Sequence, residues 1–145
     1  ELFGKEAEDL RAAGGEYGAA TGRPRRVGPF DLVASRYGVR MQGANNLALT
    51  KMDVLSYMEK IPVCVAYSID GKQTKEFPVG VELDKAKPVI EYLPGWNCDI
   101  SKCRKKEDLP KAAADYIAYI ENAMECHVKY VSVGAEREEY MVIDK

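Results

Sequence analysis

The sequence has little that would hold a metal ion or enter a membrane. It contains one histidine and four cysteines in 145 residues, and no two cysteines form a Cys-x-x-Cys pair, which disfavours a structural zinc site. No apolar run approaches the roughly 18–20 residues of a membrane helix, and no signal peptide opens the chain. We therefore expect a cytoplasmic protein with no membrane partner, in which Cys64, Cys98, Cys103 and Cys126 act as small apolar fillers.

The charge balance also disfavours nucleic-acid binding. There are 21 basic and 23 acidic residues, which gives a net charge of −2, whereas a dedicated nucleic-acid binder is usually basic. With 46% hydrophobic residues the chain can bury a core of one-domain size. It begins at Glu1, without an initiator Met and next to a helix-forming stretch, so we expect a fragment of a longer protein or a processed chain.

The pattern of apolar residues predicts a mixed α/β fold, with a mixed sheet and flanking helices. Asp31 and Asp108 are the expected N-caps of the second and third helices. Val33, Tyr37 and Met41 should share the buried face of the second helix, and Trp96 should anchor a loop. The predicted helices are 5–13, 32–41 and 109–124, and the predicted strands are 46–50, 61–69, 73–77, 89–93, 128–133 and 140–143; 46–50 should be buried.

A glycine-rich stretch at 16–28 carries three arginines within four positions. Thr21, Arg23, Arg25 and Arg26 lie among glycines that let backbone amides approach a ligand. Because arginine pairs bidentately with carboxylates and phosphates, this arginine loop is predicted to be a mobile anion site. A solvated basic loop remains the alternative. Binding of nucleic acid is less favoured, because no aromatic residue lies between positions 19 and 28 for bases to stack on.

A second candidate site, Thr50-Lys51-Met52-Asp53, follows a predicted strand. Ligands of open α/β sheets lie beyond the carboxyl ends of strands. The Asp53 carboxylate can accept from both N1–H and the 2-amino group of guanine, whereas adenine would leave it unpaired. The Lys51 stem can lie along the purine face while its ammonium stays solvated. The alternative is a surface lysine beside a capping aspartate.

Six short strings, taken together and in order, resemble adenylosuccinate synthetase over essentially the whole chain, and specifically the C-terminal portion of that family. This resemblance implies a C-terminal part of a P-loop-NTPase-like fold. It also implies one unit, 1–145, that contains an aspartate/IMP loop at 16–28, a guanine segment at 50–53 and a nucleotide-lining segment at 132–134. The strings lie at 16–28, 30–34, 49–55, 63–67, 93–96 and 131–134, with Arg137 just beyond the last.

The family forms adenylosuccinate from IMP and L-aspartate, driven by GTP hydrolysis with magnesium. GTP phosphorylates the 6-oxygen of IMP, and the aspartate amine then displaces phosphate. The resemblance implies that Arg23 also reaches IMP, that Arg25 lies near the GTP phosphates, and that the full-length enzyme is a homodimer. The implied aspartate/IMP-binding residues are Ala19, Ala20, Thr21, Gly22, Arg23, Pro24 and Arg25, and the implied GTP-binding residues are Arg25, Lys51, Met52, Asp53, Ser132, Val133 and Gly134.

The sequence departs from the family pattern at a few positions. Ala20 stands where threonine is usual, Pro29 replaces an aromatic, and Ala135-Glu136 replaces Pro-Asp. The family's phosphate loop, catalytic aspartate and catalytic histidine have no counterpart in this sequence, and His127 does not take that role. We therefore expect no catalytic residue and no metal ligand in this fragment, which alone should be inactive. Magnesium would be bound by the N-terminal part of the full-length enzyme.

Two other functions remain open at this point. The chain could be a non-catalytic module that binds guanine nucleotides, or a nucleic-acid-binding module that uses the arginine loop. The near-neutral charge and the Lys-x-Asp string disfavour the second of these.

Overall fold

The computed structural model describes residues 1–144, and this part of the chain folds into helices and two small sheets. The described helices include none that is long and apolar enough to cross a membrane. The helices are α1 (Gly4–Gly14), α2 (Leu32–Gln42), α3 (Val81–Lys85) and α4 (Lys111–Met124), and the strands are β1 (Phe30–Asp31), β2 (Asn46–Leu49), β3 (Lys60–Ile69), β4 (Lys72–Thr74), β5 (Lys87–Pro94), β6 (His127–Ser132) and β7 (Tyr140–Val142).

The first sheet is built around the long strand β3, which is rich in β-branched residues as its sequence predicts. It pairs antiparallel with β5 along almost its whole length, and antiparallel with β4 through the turn at Asp70-Gly71. The short β1 pairs parallel with Val63 and Cys64 of β3. The sheet is therefore mixed, and the predicted hairpin is confirmed, with its second strand shorter than expected.

The second sheet joins two strands that lead into predicted ligand segments. Strand β2 precedes the predicted guanine segment, and β6 ends at the start of the predicted nucleotide-lining segment. Its centre is β6, which pairs parallel with β2 and antiparallel with β7. Because β2 and β6 run in the same direction, their carboxyl ends lie side by side. This pairing brings Lys51, just after β2, next to Ser132, the last residue of β6.

Helix α4 packs the main core against both sheets. Every residue of its predicted apolar stripe is buried, and Trp96 is also buried, with its ring edge-on to Tyr116 at a centroid distance of 5.8 Å. The predicted loop-anchor role of Trp96 is confirmed by a hydrogen bond from its Nε1 to Ser56 Oγ at 3.0 Å. The buried stripe consists of Ala113, Tyr116, Ile117, Ile120 and Met124.

The buried face predicted for α2 is wrong for two of its three residues. Asp31 caps the helix as expected, since its Oδ1 accepts from the Ala34 N–H at 3.0 Å. Tyr37 and Met41, however, are 39% and 65% exposed. The helix contacts the main core through Leu32 and Val39 instead, which lie seven residues apart on a neighbouring face.

Three further predictions need correction. Strand β2 forms where expected, but only Leu49 in it is buried, because β2 is an edge strand paired on one side among the described residues. Asp108 does not cap α4: its Oδ2 accepts from the N–H groups of Arg104 and Lys105, both at 3.0 Å, and α4 begins only after Pro110. Cys98 is exposed and is no core filler. Helix α3 was not predicted.

Candidate functional site

The arginine loop forms a small hairpin directly after α1. Tyr17 and Pro24 form an antiparallel bridge, and the Gly18 N–H donates to the Arg23 carbonyl at 2.9 Å. The hairpin tip closes with Gly22 at φ +64°, a backbone conformation that glycine adopts without strain. Thr21 Oγ1 accepts from the Arg23 N–H at 3.3 Å. The predicted loop residues are therefore brought together, with Arg23 at the base of the tip.

The arginine side chains of this hairpin are exposed and face open space. They line a cleft of about 800 Å³ together with Thr21, Pro24 and Gly28. Within residues 1–144, Arg23 and Arg26 have no ion-pair partner, whereas Arg25 Nη1 contacts Glu16 Oε2 at 3.2 Å. The loop thus presents at least two guanidinium groups that a carboxylate or phosphate can pair with.

Lys51, in the predicted guanine segment, has a strained backbone conformation. Its φ is +61°, the left-handed region, which is uncommon for a residue other than glycine. Two contacts from distant parts of the chain hold it there: its N–H donates to Ser132 Oγ at 2.8 Å, and its Nζ donates to the Gly14 carbonyl at 2.8 Å. Strain maintained by surrounding contacts is typical of functional sites.

The sequence alone predicted a solvated ammonium group for Lys51, but in the structure this group has protein partners. It forms an ion pair with Glu16 Oε1 as well as its hydrogen bond to Gly14, the last residue of α1. Half of the side chain stays exposed. The lysine stem is therefore fixed between the end of α1 and the turn that follows β2, rather than free to move in solvent.

Asp53 lies in a 3₁₀ turn, Met52–Leu55, that directly follows Lys51. Met52 is buried and anchors this turn in the core, and Trp96 supports it through Ser56. One carboxylate oxygen of Asp53, Oδ1, is buried and has no hydrogen-bond partner among the described residues. An unpaired buried acceptor costs about 1–3 kcal/mol unless a donor reaches it, so a rotation of the Asp53 side chain that brings this oxygen to a donor would be favourable.

The nucleotide-lining segment Ser132-Val133-Gly134 adjoins this turn through Ser132. The Val133 side chain is fully buried, so only its backbone can face a ligand, and its N–H donates to the Glu139 carbonyl at 2.8 Å. A Cβ at Gly134 would lie 2.0 Å from Glu139 Oε2, so any side chain there would have to displace that of Glu139. Glu139 thus holds this segment in a tight turn.

Glu16 connects the segments, and sequence reasoning did not single it out. Its carboxylate contacts Lys51 through one oxygen and Arg25 through the other. The hydrogen bond from Lys51 lowers the pKa of Glu16 below its ordinary value of 4.5; partial burial opposes this shift, and Arg25 adds to it. The only signal in the sequence was one acidic residue at the start of the glycine-rich stretch that carries the arginines.

The described residues 1–144 contain no cluster of three or more His, Cys, Asp or Glu side chains that could hold a metal ion. His127, which is half-buried, contacts Glu121 Oε2 at 2.8 Å through Nδ1 and the Ile143 carbonyl at 2.9 Å through Nε2. Both ring nitrogens are therefore engaged in packing β6 against α4 and the chain end, away from the arginine loop.

Comparisons with known proteins point to one family. The family model described as adenylosuccinate synthetase matches residues 1–141. The adenylosuccinate synthetase of Synechococcus sp. (strain CC9902) is 45% identical over 145 residues, which cover 99% of this chain and 33% of that protein. The Salinibacter ruber protein of the same name is 49% identical over 138 residues, 94% of this chain and 31% of that protein.

A solved structure is similar over the same length. It is titled as the fully ligated adenylosuccinate synthetase from Plasmodium falciparum, and it matches with a TM-score of 0.93 and 33% sequence identity, covering 99% of this chain and 35% of that one. The chain therefore spans about a third of the length of the relatives it matches.

Proposed function

The chain belongs to the adenylosuccinate synthetase family, and we propose that it is the C-terminal part of a GTP-dependent ligase that joins IMP and L-aspartate to give adenylosuccinate, GDP and phosphate. The observation that carries this proposal is the meeting of three separate segments. Ser132 accepts from the backbone of Lys51, and Glu16 joins Lys51 to the arginine loop. An enzyme that acts on a nucleotide and an anionic substrate together must hold their binding segments next to each other.

The arginine loop would bind aspartate and the IMP phosphate. Both ligands are anionic, and Arg23 and Arg26 have no competing ion pair among residues 1–144. Thr21 Oγ1 stands at the tip, where a hydroxyl can donate to a carboxylate. Binding would neutralise the repulsion among three neighbouring cations, so the ligand and the ordered loop would stabilise each other.

The guanine segment would select the base. The Asp53 carboxylate, whose Oδ1 is unpaired among the described residues, would accept from N1–H and the 2-amino group of guanine once the side chain turns toward the base, and adenine has no equivalent donors at that edge. The fixed stem of Lys51 would lie against the purine, and the backbone of Val133 and Gly134 would line the nucleotide beside it. Base selection thereby follows from a buried group that stays unpaired with the wrong base.

Further properties of this proposal depend on the family alone. We propose that the full-length enzyme is a cytoplasmic homodimer and uses magnesium. The described residues show no cluster of metal ligands, so we assign no step involving the metal to this chain. The residues of this chain bind and orient the substrates, and positioning of this kind contributes a large share of phosphoryl-transfer catalysis.

The substitution Asp53→Asn in the full-length enzyme tests this assignment. The amide would present a donor to one of the two guanine donors, so we expect kcat/KM for GTP to fall by about 10- to 100-fold or more, from one or two charged hydrogen bonds of roughly 1.5–3 kcal/mol each. The measurement is steady-state formation of adenylosuccinate at varied GTP, with IMP and aspartate saturating. Glu76→Gln, in an exposed ion pair with Arg40, is the control. Unchanged GTP kinetics would mean that Asp53 only supports its turn.

A further inference from the structure

Glu16 contacts two predicted ligand segments at the same time. Its Oε2 is 3.2 Å from Arg25 Nη1, and its Oε1 pairs with Lys51 Nζ. The Glu16 side chain is only 22% exposed, whereas those of Arg25 and Lys51 are 58% and 50% exposed. The carboxylate is therefore the sheltered centre of a cation–anion–cation bridge, and its two partners reach toward ligands.

The backbone around Glu16 strengthens this bridge. The Glu16 carbonyl accepts from the Arg25 N–H at 3.0 Å, and the Gly14 carbonyl, two residues earlier, accepts from Lys51 Nζ at 2.8 Å. The end of α1 thus fixes both the base of the arginine loop and the lysine of the guanine segment. Residues 14–16 are the described segment through which a displacement of one site would reach the other.

One carboxylate shared by two cations makes the two contacts interdependent. When a ligand carboxylate or phosphate pairs with Arg25, the guanidinium is held less by Glu16, and more of the carboxylate charge is available to Lys51. Lys51 is then held more firmly in its strained conformation beside the base site. By linkage, a nucleotide that fixes Lys51 must favour the anion at the arginine loop equally.

We propose that Glu16 is a positioning residue that couples occupancy of the arginine loop to binding of the guanine nucleotide. This inference depends on the proposed function, because it takes 16–28 and 50–53 as the two ligand segments. Glu16 touches no reacting atom; it acts through Arg25 and Lys51.

The test uses the full-length enzyme and measures the Kd for GDP by calorimetry, without and with saturating IMP and aspartate. In the unmodified enzyme the added substrates should tighten GDP binding by a factor in the usual range of allosteric coupling, about 5- to 150-fold. In Glu16→Gln this ratio should approach one, because a neutral amide cannot hold two cations. KM for GTP and for aspartate should rise together, while a purely structural role would change only the thermal midpoint.

The matched control is Glu76→Gln, which removes the same charge from an exposed ion pair with Arg40 at 3.6 Å; it should keep the coupling ratio of the unmodified enzyme. If Glu16→Gln does not fold, Glu16→Asp takes its place: it keeps the charge but is one methylene too short to span both cations, so its ratio should fall part of the way.

The outcomes separate this inference from the proposed function. An unmodified enzyme that forms adenylosuccinate but whose GDP affinity ignores the other substrates overturns the coupling and leaves the function intact. A ratio retained in the Glu16 variants does the same. An unmodified enzyme that binds no guanine nucleotide overturns both.

Discussion

At the scale of single residues, the proposed site depends on charges that the fold leaves without ion-pair partners among the described residues. Arg23 shows this most clearly, because it is exposed, stands at the base of the hairpin tip and has no ion pair within residues 1–144. Its guanidinium contributes little to folding, since exposed charges have small effects on stability. Its value lies in what it can bind.

Replacing Arg23 with leucine in the full-length enzyme should therefore separate function from stability. We expect KM for aspartate to rise by about 10- to 100-fold, the loss of a charged hydrogen-bonded pair, with a lower kcat. The thermal midpoint should stay nearly constant, because surface substitutions usually change the free energy of unfolding by less than about 0.5 kcal/mol. Initial rates at varied aspartate and a thermal melt check both expectations. A large loss of thermal stability would instead assign Arg23 a structural role.

At the scale of elements, we expect the order of the arginine hairpin to depend more on bound ligands than the order of the strands does. Without ligand, backbone amides 19–28 should exchange with solvent faster than those of β3, because the hairpin is exposed and the described part contains only a few backbone hydrogen bonds across it. IMP with aspartate should slow this exchange. Hydrogen exchange of the full-length enzyme with and without ligands measures the change, and a loop already as protected as 63–67 without ligand would contradict loop closure.

The turn before α4 should be sensitive to acid. Hydrogen bonds from the N–H groups of Arg104 and then Lys105 lower the pKa of Asp108 below its ordinary 3.8. A carboxyl whose folded pKa is lowered stabilises the fold above its unfolded value, and the stabilisation disappears as pH falls through the folded value. Asp108→Asn should therefore lower the thermal midpoint near neutral pH, and the difference in midpoint between the two proteins should shrink below about pH 4. A difference in midpoint that stays constant with pH would contradict this.

The sequence predicted the elements well because their periodicity is local. The stripe of α4 and the β-branched run of β3 each report a buried face within a few residues. The exposed Tyr37 was mispredicted because the orientation of α2 is set by packing against β3 and α4, and not by its own spacing. Asp108 likewise satisfies the nearer turn instead of the helix.

The candidate site was predictable in its parts and not in its connections. The arginine run and the Lys-x-Asp string are visible in the sequence, and the family resemblance placed them in one enzyme. The contact of Glu16 with Lys51 spans 35 residues and that of Lys51 with Ser132 spans 81. The contact of Lys51 with Ser132 follows from the parallel pairing of β2 with β6, and that with Glu16 follows from the packing of α1 against the turn 52–55; no local pattern encodes either.

At the scale of the whole molecule, the chain carries the proposed substrate-binding residues but spans only about a third of the length of its relatives. Purified residues 1–145 should form no adenylosuccinate from IMP, aspartate and GTP. Phosphoryl transfer requires groups that position the γ-phosphate and a general base, and the sequence motifs that supply them in the family do not occur in this chain. Chromatographic detection of adenylosuccinate tests this expectation, with the full-length enzyme as the positive control. Turnover by the pure chain would show that it supplies the catalytic groups itself, whereas guanine-nucleotide binding without turnover is what a substrate-holding segment requires.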